Sequence, residues 1–171
     1  MAVDCFLKLD DIKGESVDSK HAGEIDVLAW SWGASQTASF QLGSGGGTAK
    51  VAVKDLTVTK YVDRASPTLL GVCFSGKPIA KGTLSMRKAG GTQMEYINIY
   101  MEDAVISSIT PMNHMANSAV TGDAAGDERP RETITLNFAR VKFDYTPQKP
   151  DGSPDAAVKF GYDIAKNVKW G

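Results

Sequence analysis

The chain is poor in histidine and cysteine and has almost no net charge. Among its 171 residues, 19 are basic and 20 are acidic, which gives a net charge of −1 and a pI near 6.1. Proteins that bind nucleic acid or anionic membranes usually carry a block of positive charge, and the sequence contains no such block. We therefore expect neither nucleic acid nor a membrane among its partners.

The two cysteines and two histidines fall in no catalytic or metal-binding pattern. Cys5 and Cys73 are far apart in the sequence, and we expect free thiols rather than a disulfide. His21 and His114 belong to no HExxH or Cys-x-x-Cys arrangement, and a G-x-S-x-G motif is also missing. These absences predict a protein that is not an enzyme and that needs no metal or other cofactor.

Long apolar runs are absent as well. No stretch approaches the ~20 apolar residues of a membrane-spanning helix. The N-terminus lacks the charged and then apolar regions of a secretion signal, and instead alternates from Val3 to Leu9 like a strand of the fold. We therefore expect a protein made in the cytoplasm, which would leave the cell by a route other than the general secretion pathway.

Glycine is concentrated in one segment, but the pattern there is not that of a phosphate-binding loop. Such a loop has the form G-x-x-x-x-G-K-[ST] and precedes a helix. Here Gly47 is followed by Thr48-Ala49-Lys50 and then by the alternating pattern of a strand. Free glycines between strands are typical of a mobile loop or hairpin tip. We assign that role to residues Gln41, Leu42, Gly43, Ser44, Gly45, Gly46, Gly47 and Thr48.

Most of the chain has the two-residue periodicity of β-strands. Strands are predicted over residues 51–58, 84–101, 134–145 and 158–164. The stretch 89–91 contains two glycines and predicts a hairpin turn within the second of these ranges. The apolar set changes face between Phe138 and Val141, which predicts a β-bulge near Ala139–Arg140.

One segment has helical rather than strand periodicity. Ser66 offers an N-cap, Pro67 suits the first turn and Gly76 offers a stop, so a short helix is predicted over 67–75. Many short strands with one helix favour a small antiparallel β-barrel or a sandwich, formed as a single domain. The segment 110–131 lacks apolar periodicity and is predicted to be a long loop.

The segment 24–32, EIDVLAWSW, is predicted to be a strand with two apolar faces. One face carries Ile25, Val27, Ala29 and Ser31, and the other carries Asp26, Leu28, Trp30 and Trp32. Burying one aromatic side chain contributes at most about 4–6 kcal/mol, so we do not expect this surface to stay in water. We expect Trp30, Trp32 and Leu28 in the core and the milder face at a subunit boundary or a lumen.

Several longer stretches bear a specific family likeness. They are HAGEIDVLAWSWG, LGSGGGTAKV, DLTVTKYVDRASPTLL, MRKAGG followed by MEYINIYMEDAVISSIT, TLNFARVKFDYTPQK and FGYDIAKN. They occur in this order and span almost the whole chain. Together they resemble the haemolysin-coregulated protein (Hcp) family, the inner-tube proteins of bacterial type VI secretion systems.

The resemblance implies a fold and an assembly. The fold would be mainly β: one small antiparallel β-barrel domain over residues 1–171, with one flanking α-helix and a protruding hairpin loop. Subunits would form hexameric rings that stack into a hollow tube, which a contracting sheath expels with a spike complex at its tip. Effector proteins would travel in the lumen. The tube protein itself would pass from the cytoplasm to the outside without a signal peptide.

The resemblance also implies roles for particular residues. Ser31 would face the lumen and touch effectors, segment 41–48 would meet the neighbouring ring, and the predicted helix 67–75 would be the flanking helix. Segment 110–131 is longer than the connection that the resemblance implies, so its contacts stay open. Two alternatives also stay open: a phage-like tail-tube protein, and a less favoured small β-barrel that binds a ligand or acts as an enzyme.

Overall fold

In the computed structural model, residues 3–36, 51–88, 93–112 and 129–171 are described. They form eleven strands and one helix. In chain order, the elements are β1 (Val3–Leu9), β2 (Ile25–Asp26), β3 (Ala29–Ser31), β4 (Ala34–Ser35), β5 (Ala52–Val53), β6 (Leu56–Tyr61), α1 (Ala65–Ser75), β7 (Ile79–Lys88), β8 (Met94–Met112), β9 (Arg131–Tyr145), β10 (Val158–Asp163) and β11 (Val168–Lys169).

The strands pair antiparallel throughout. The main sheet has the order β11-β10-β9-β8-β7-β1-β2, and β6 also pairs with β9 while β3 pairs with β6. Strands β4 and β5 form a separate pair. The expected mainly-β, antiparallel fold with one short helix is therefore confirmed. The strand pairing does not by itself give a closed barrel, so that part of the expectation stays a prediction.

One apolar core holds these elements together. Its members come from β1, β2, β6, β7, β8 and β9, with Ala65 and Leu69 from α1. Because buried apolar area contributes roughly 25 cal/mol per Å², this core is the main source of stability. The largest apolar side chains with no exposure are Leu7, Ile25, Leu56, Leu69, Leu84, Ile99, Ile134 and Leu136.

The helix begins earlier than the sequence predicts, and Ser66 is not its N-cap. The first helical residue is Ala65, whose N–H donates to Asp63 Oδ1 at 2.9 Å. Ser66 lies buried in the first turn, where its Oγ accepts from the Asp63 N–H at 3.0 Å. The predicted stop is confirmed, because Gly76 follows the helix with φ 63°, a conformation that glycine adopts without strain.

The segment 24–32 is not one continuous strand. It divides into β2 and β3, and the buried side changes between them. Ile25 and Val27 lie in the core, so their assignment to the milder face is wrong. Leu28 is 43% exposed, so its assignment to the core is also wrong. Trp30 and Trp32 do pack against the core. Leu28 and Ala29 are both exposed, so the alternation shifts by one residue between them.

The bulge predicted near Ala139–Arg140 is also wrong. Strands β8 and β9 keep one register from Ile97 to Ile106, across that position. The shift in register lies between Ile106 and Ser108 instead. The change of apolar face in β9 therefore needs another cause.

That cause is a change of the buried face that occurs at the same level on both strands. On β8 the buried positions pass from Met101 to Ala104, and on β9 they pass from Val141 to Phe138, which are the paired residues. Asp103 lies at this level with φ 52°, a left-handed conformation that changes side-chain direction without an inserted residue. When two paired strands change their buried face at the same level, the sequence of either strand shows the same pattern as a bulge.

The predicted loop 110–131 begins and ends as strand. Thr110 pairs with Thr133 and Met112 pairs with Arg131, so the β8–β9 hairpin extends further than the periodicity indicated. Residues 113–128 lie outside the described residues. No helix in the described part of the chain has the length and hydropathy needed to cross a bilayer.

Candidate functional site

Ser31 lies on a short strand with its side chain in solvent. Strand β3 pairs with β6, so that Ser31 is opposite Thr57 and Ala29 is opposite Thr59. Between them, Trp30 is opposite Val58 and points to the core side. Successive residues of a strand point to opposite faces, which places Ser31 and its neighbours on the outer side.

The strand register extends this outer side into rows of hydroxyl groups. Thr57 is opposite Thr135 of β9, which is opposite Ser108 of β8, so Ser31 heads a row across four strands. A parallel row starts at Thr59. We call the outer surface of β3, β6, β9 and the end of β8 the hydroxyl face. It comprises Ser31, Asp55, Thr57, Thr59, Ser107, Ser108, Thr110, Thr133, Thr135 and Asn137.

The inner side of the same strands is apolar. Leu56 and Val58 of β6 and Ile134 and Leu136 of β9 are fully buried, and they alternate with the threonines of the hydroxyl face. An antiparallel sheet with one buried and one solvated side shows this alternation. The hydroxyl face is therefore an open surface of a well-packed sheet.

Hydrogen bonds on the hydroxyl face converge on Asp55. Its carboxylate accepts from Asn137 Nδ2 at 2.8 Å and from the Ser107 hydroxyl. The Oγ1 of Thr135 lies 2.8 Å from Ser107 Oγ and 2.7 Å from Ser108 Oγ. These side chains come from three strands or their ends, so the cluster is fixed by the register of the sheet.

In the part of the chain that the structure describes, the two strands at the edges of the hydroxyl face, β3 and β8, each have one side without a strand partner. Within the described ranges, β3 pairs with β6 alone, and β8 pairs with β9 alone from Val105 to Met112. Unpaired edges present N–H and C=O groups that can pair with another strand. The four-stranded surface thus ends in two open edges.

A buried ionic cluster fixes the end of this sheet to the helix. Lys60 is fully buried, and its Nζ lies 2.7 Å from both Glu132 Oε1 and Asp63 Oδ1. The Ser66 hydroxyl donates to Glu132 Oε1 at 2.6 Å. Since a buried charge without a partner is costly, these contacts hold β6, β9 and the start of α1 in one arrangement. Their role is structural.

A second cluster lies on the outer side of β1 and β7. We call this surface the Arg87 face, and it comprises Asp4, Phe6, Ser85 and Arg87. Arg87 is 3% exposed, and its Nη2 lies 2.7 Å from Asp18 and 2.9 Å from Asp4. The Arg87 guanidinium holds the pKa of Asp18 well below its usual range, because it donates hydrogen bonds to that carboxylate. His21 stacks on Phe6 with ring centroids 4.2 Å apart.

The sequence predicted no chemistry for the histidines and cysteines. His21 is buried and has Nδ1 2.8 Å from Glu24 Oε2, a structural contact, while His114 lies outside the described residues. Both cysteines are free, as expected. Burial raises the pKa of the Cys5 thiol to about 12, so it stays protonated at neutral pH. The described residues contain no His, Cys, Asp and Glu grouping suited to a metal ion.

The glycine-rich segment Gln41–Thr48 lies outside the described residues, so its assigned role stays a prediction. The described residues on either side of it do pair with each other. Ala34 is opposite Val53, and Ser35 is opposite Ala52. Antiparallel pairing of two such flanking strands is what a β-hairpin requires.

Comparison with known proteins places this chain in a class. The family model described as "Type VI secretion system effector, Hcp" matches residues 6–145. The protein hcp1 of Pseudomonas aeruginosa is 48% identical over 171 residues, which is 99% of each chain. The major exported protein of the same species is 29% identical over 114 residues, which is 66% of this chain and 64% of that protein.

Solved structures agree with the sequence matches. A structure titled as a type six secretion system protein has a TM-score of 0.87 at 28% identity and covers 99% of this chain and 100% of its own. Hcp1 from Salmonella typhimurium has a TM-score of 0.74 at 35% identity, with the same coverage. The chain is thus a protein of the type VI secretion class. Within that class it belongs to the Hcp family, as its sequence motifs indicated.

The family resemblance singled out Ser31, whose role stays a prediction, and sequence reasoning missed most of the surface around it. The missed residues are Asp55, Asn137, the paired threonines and the serines of β8. A signal was present, since Thr-x-Thr occurs both at 57–59 and at 133–135, with an apolar residue between the two threonines each time. Only the register shows that these two motifs lie side by side.

Proposed function

We propose that this chain is the repeating subunit of a secreted hollow tube. Hexameric rings of the chain would stack end to end, with the hydroxyl face lining the channel. The observation that carries the proposal is the hydroxyl face itself, a polar outer surface on a four-stranded sheet with an open edge on each side. Membership of the Hcp family supports the same function.

Strand direction supports closure of a ring. Each neighbouring pair in the order β3-β6-β9-β8 is antiparallel, so β3 and β8 run in opposite directions. Rotation about the channel axis preserves strand direction, and β8 of one copy would therefore lie antiparallel to β3 of the next copy. Such a contact joins two different surfaces and generates a ring when the rotation closes.

The hydroxyl face suits a channel through which proteins pass. Serine and threonine side chains are short, uncharged and able to donate and accept hydrogen bonds, so they hold water and make weak contacts with many surfaces. Ser31 is exposed in the first row of this face. We therefore assign to Ser31 a contact with effector proteins in the lumen.

Other contacts of the tube follow from the same proposal. The paired strands β4 and β5 would carry segment 41–48 toward the neighbouring ring, where it would mediate stacking. The finished tube would associate with the spike and sheath proteins of the secretion machine. It would leave the cytoplasm through that machine, as a single domain.

The proposed subunit is a small β-barrel. The Val27 N–H donates to Cys5 O at 2.9 Å, and the next residue, Leu28, donates to Thr59 O at 2.8 Å. The segment that contains β2 and β3 thus contacts β1 on one side and β6 on the other. This crossing supports closure of the sheet in the order β1-β2/β3-β6-β9-β8-β7.

Native mass spectrometry and negative-stain microscopy of the purified chain test the ring. We expect a hexamer with a central channel, and a strictly monomeric protein at high concentration would contradict the proposal. Shortening Gly43–Gly47 should leave single rings intact and impair their stacking. Unchanged tube formation by that variant would remove the stacking role.

The variant Ser31→Gln tests the channel assignment. We expect rings of normal mass that retain less co-purified effector, because the longer side chain fills space in the lumen. Ser19→Gln, the same change at an exposed serine between β1 and β2, is the matched control and should retain the effector. Loss of rings in Ser31→Gln would instead place this residue in a subunit interface.

A further inference from the structure

The hydroxyl groups near Asp55 can donate their hydrogens in one direction only. An ionised carboxylate only accepts hydrogen bonds, so the Ser107 hydroxyl must donate its one hydrogen to Asp55. Ser107 can then only accept from Thr135, at 2.8 Å, and Thr135 can in turn only accept from Ser108, at 2.7 Å. The three hydroxyl hydrogens all point along this series of hydrogen bonds toward the carboxylate.

This direction determines what the surface offers to a partner. The outward-facing groups of the chain Ser108–Thr135–Ser107–Asp55 are oxygen lone pairs, since each hydrogen is used within it. Each carboxylate oxygen of Asp55 accepts one hydrogen bond from the hydroxyl face and has room for a second. We call these four residues the acceptor chain. A partner there must bring hydrogen-bond donors.

Charge favours the same kind of partner. Asp55 is the one ionisable residue among the ten that define the hydroxyl face, and it directly precedes the first residue of β6. Arg131 is on the same side of β9 as Thr133, but it lies at the far end of β6 from Asp55, with its guanidinium 5.4 Å from the Tyr61 ring. Lys60 is buried on the inner side.

We propose that the acceptor chain selects the cargo, by binding a lysine or arginine side chain of the protein in the channel. This inference rests on the proposed function, since it takes the hydroxyl face to line the channel. A ring would carry one such carboxylate per subunit at the same level. Basic segments would be held and acidic segments would be repelled there, while the hydroxyl rows elsewhere make no choice by charge.

Fluorescent octalysine and octaglutamate peptides test the inference on the assembled protein. Fluorescence anisotropy at low ionic strength should show that octalysine binds and that octaglutamate does not. The variant Asp55→Asn removes the charge and adds a donor, and we expect it to weaken octalysine binding by roughly two- to fivefold for each contact made, the range of an exposed ion pair. Thr135→Val interrupts the hydroxyl direction without changing charge and should weaken binding less.

Asp103→Asn is the matched control. Asp103 is an exposed carboxylate on β8 that pairs with Arg140 outside the hydroxyl face, and asparagine tolerates its positive φ. This variant should bind octalysine like the unmodified protein. Equal octalysine binding by Asp55→Asn and the unmodified protein overturns the inference, and so does an equal loss in Asp103→Asn.

Ring formation is measured separately, by native mass spectrometry of the same samples. If rings form and Asp55→Asn binds octalysine normally, charge selection fails while the tube proposal stands. If no rings form, the tube proposal fails, and the same peptide comparison on the single subunit still supports or overturns the acceptor chain as a site for basic groups.

Discussion

Two outer surfaces of the same sheet differ in whether the chain itself covers them. The Arg87 face is covered by the chain itself, because Asp18 pairs with Arg87 and His21 stacks on Phe6. The hydroxyl face has Ser31, Ser107 and Ser108 exposed to solvent. The first surface carries charged and aromatic side chains, and the second carries mainly small hydroxyls.

The difference follows from the cost of leaving each surface in water. Phe6 would expose a large apolar ring, so a loop that buries it stabilises the fold. Short hydroxyls are well solvated on a strand and gain little from a cover within the chain. The open surface is therefore stable as it is and stays available for contacts with other proteins, whereas the covered surface belongs to the subunit's own stability.

The largest expected effect comes from uncovering the Arg87 face. Arg87→Met should lower the free energy of unfolding by about 1.5–3 kcal/mol, the value of hydrogen bonds to charged groups, because Asp18 and Asp4 lose their donor. Urea denaturation measures the change.

Arg140→Met is the control for that prediction. Arg140 also pairs with two carboxylates, Asp103 at 2.6 Å and Glu102 at 3.1 Å, but it is half-exposed. Its loss should lower the free energy of unfolding by clearly less than Arg87→Met does, because solvent screens exposed pairs. Equal effects of the two variants would mean that the cover over Arg87 contributes nothing.

A second effect separates the two surfaces by pH. The depressed pKa of Asp18 means that its pairing with Arg87 stabilises the fold above the ordinary aspartate pKa of about 3.9 and that this contribution is lost as pH falls below it. Carbon-13 NMR of the Asp18 carboxyl group should show titration below the range of ordinary aspartates. In Arg87→Met the pKa of the Asp18 carboxyl group should rise but stay below the ordinary value, because the Lys20 and His21 N–H groups still donate to it. An unchanged midpoint in this variant would contradict the assigned cause.

Alternation in the sequence predicted the strands well, because a period of two follows directly from which side of a sheet is buried. It failed where two elements act together. The change of face at Asp103, which both paired strands make, and the break between Leu28 and Ala29 each alter the buried side. Neither has a residue signature that a single strand could show.

The candidate site was predicted only in part, for a related reason. Ser31 came from the family likeness, whereas the acceptor chain depends on the register that places Thr135 beside Ser108. Registers between strands far apart in sequence are set by the whole packed sheet. The polar residues of the inner side, Lys60 and Glu132, were likewise hidden, since their pairing joins residues 72 positions apart.

The smallest expected effect is on the open surface itself. Thr59→Val replaces a hydroxyl of the hydroxyl face with a methyl group of similar shape, and its bond to Thr133 is long at 3.4 Å. The free energy of unfolding should change by less than about 0.5 kcal/mol, as for other surface changes. The neighbouring variant Val58→Thr makes the reverse change on the inner side and should cost about 1–3 kcal/mol, because the new hydroxyl is buried. Urea denaturation of this pair tests the comparison directly. A loss above 2 kcal/mol in Thr59→Val would mean that the subunit itself covers the hydroxyl face, which would then be unable to line a channel.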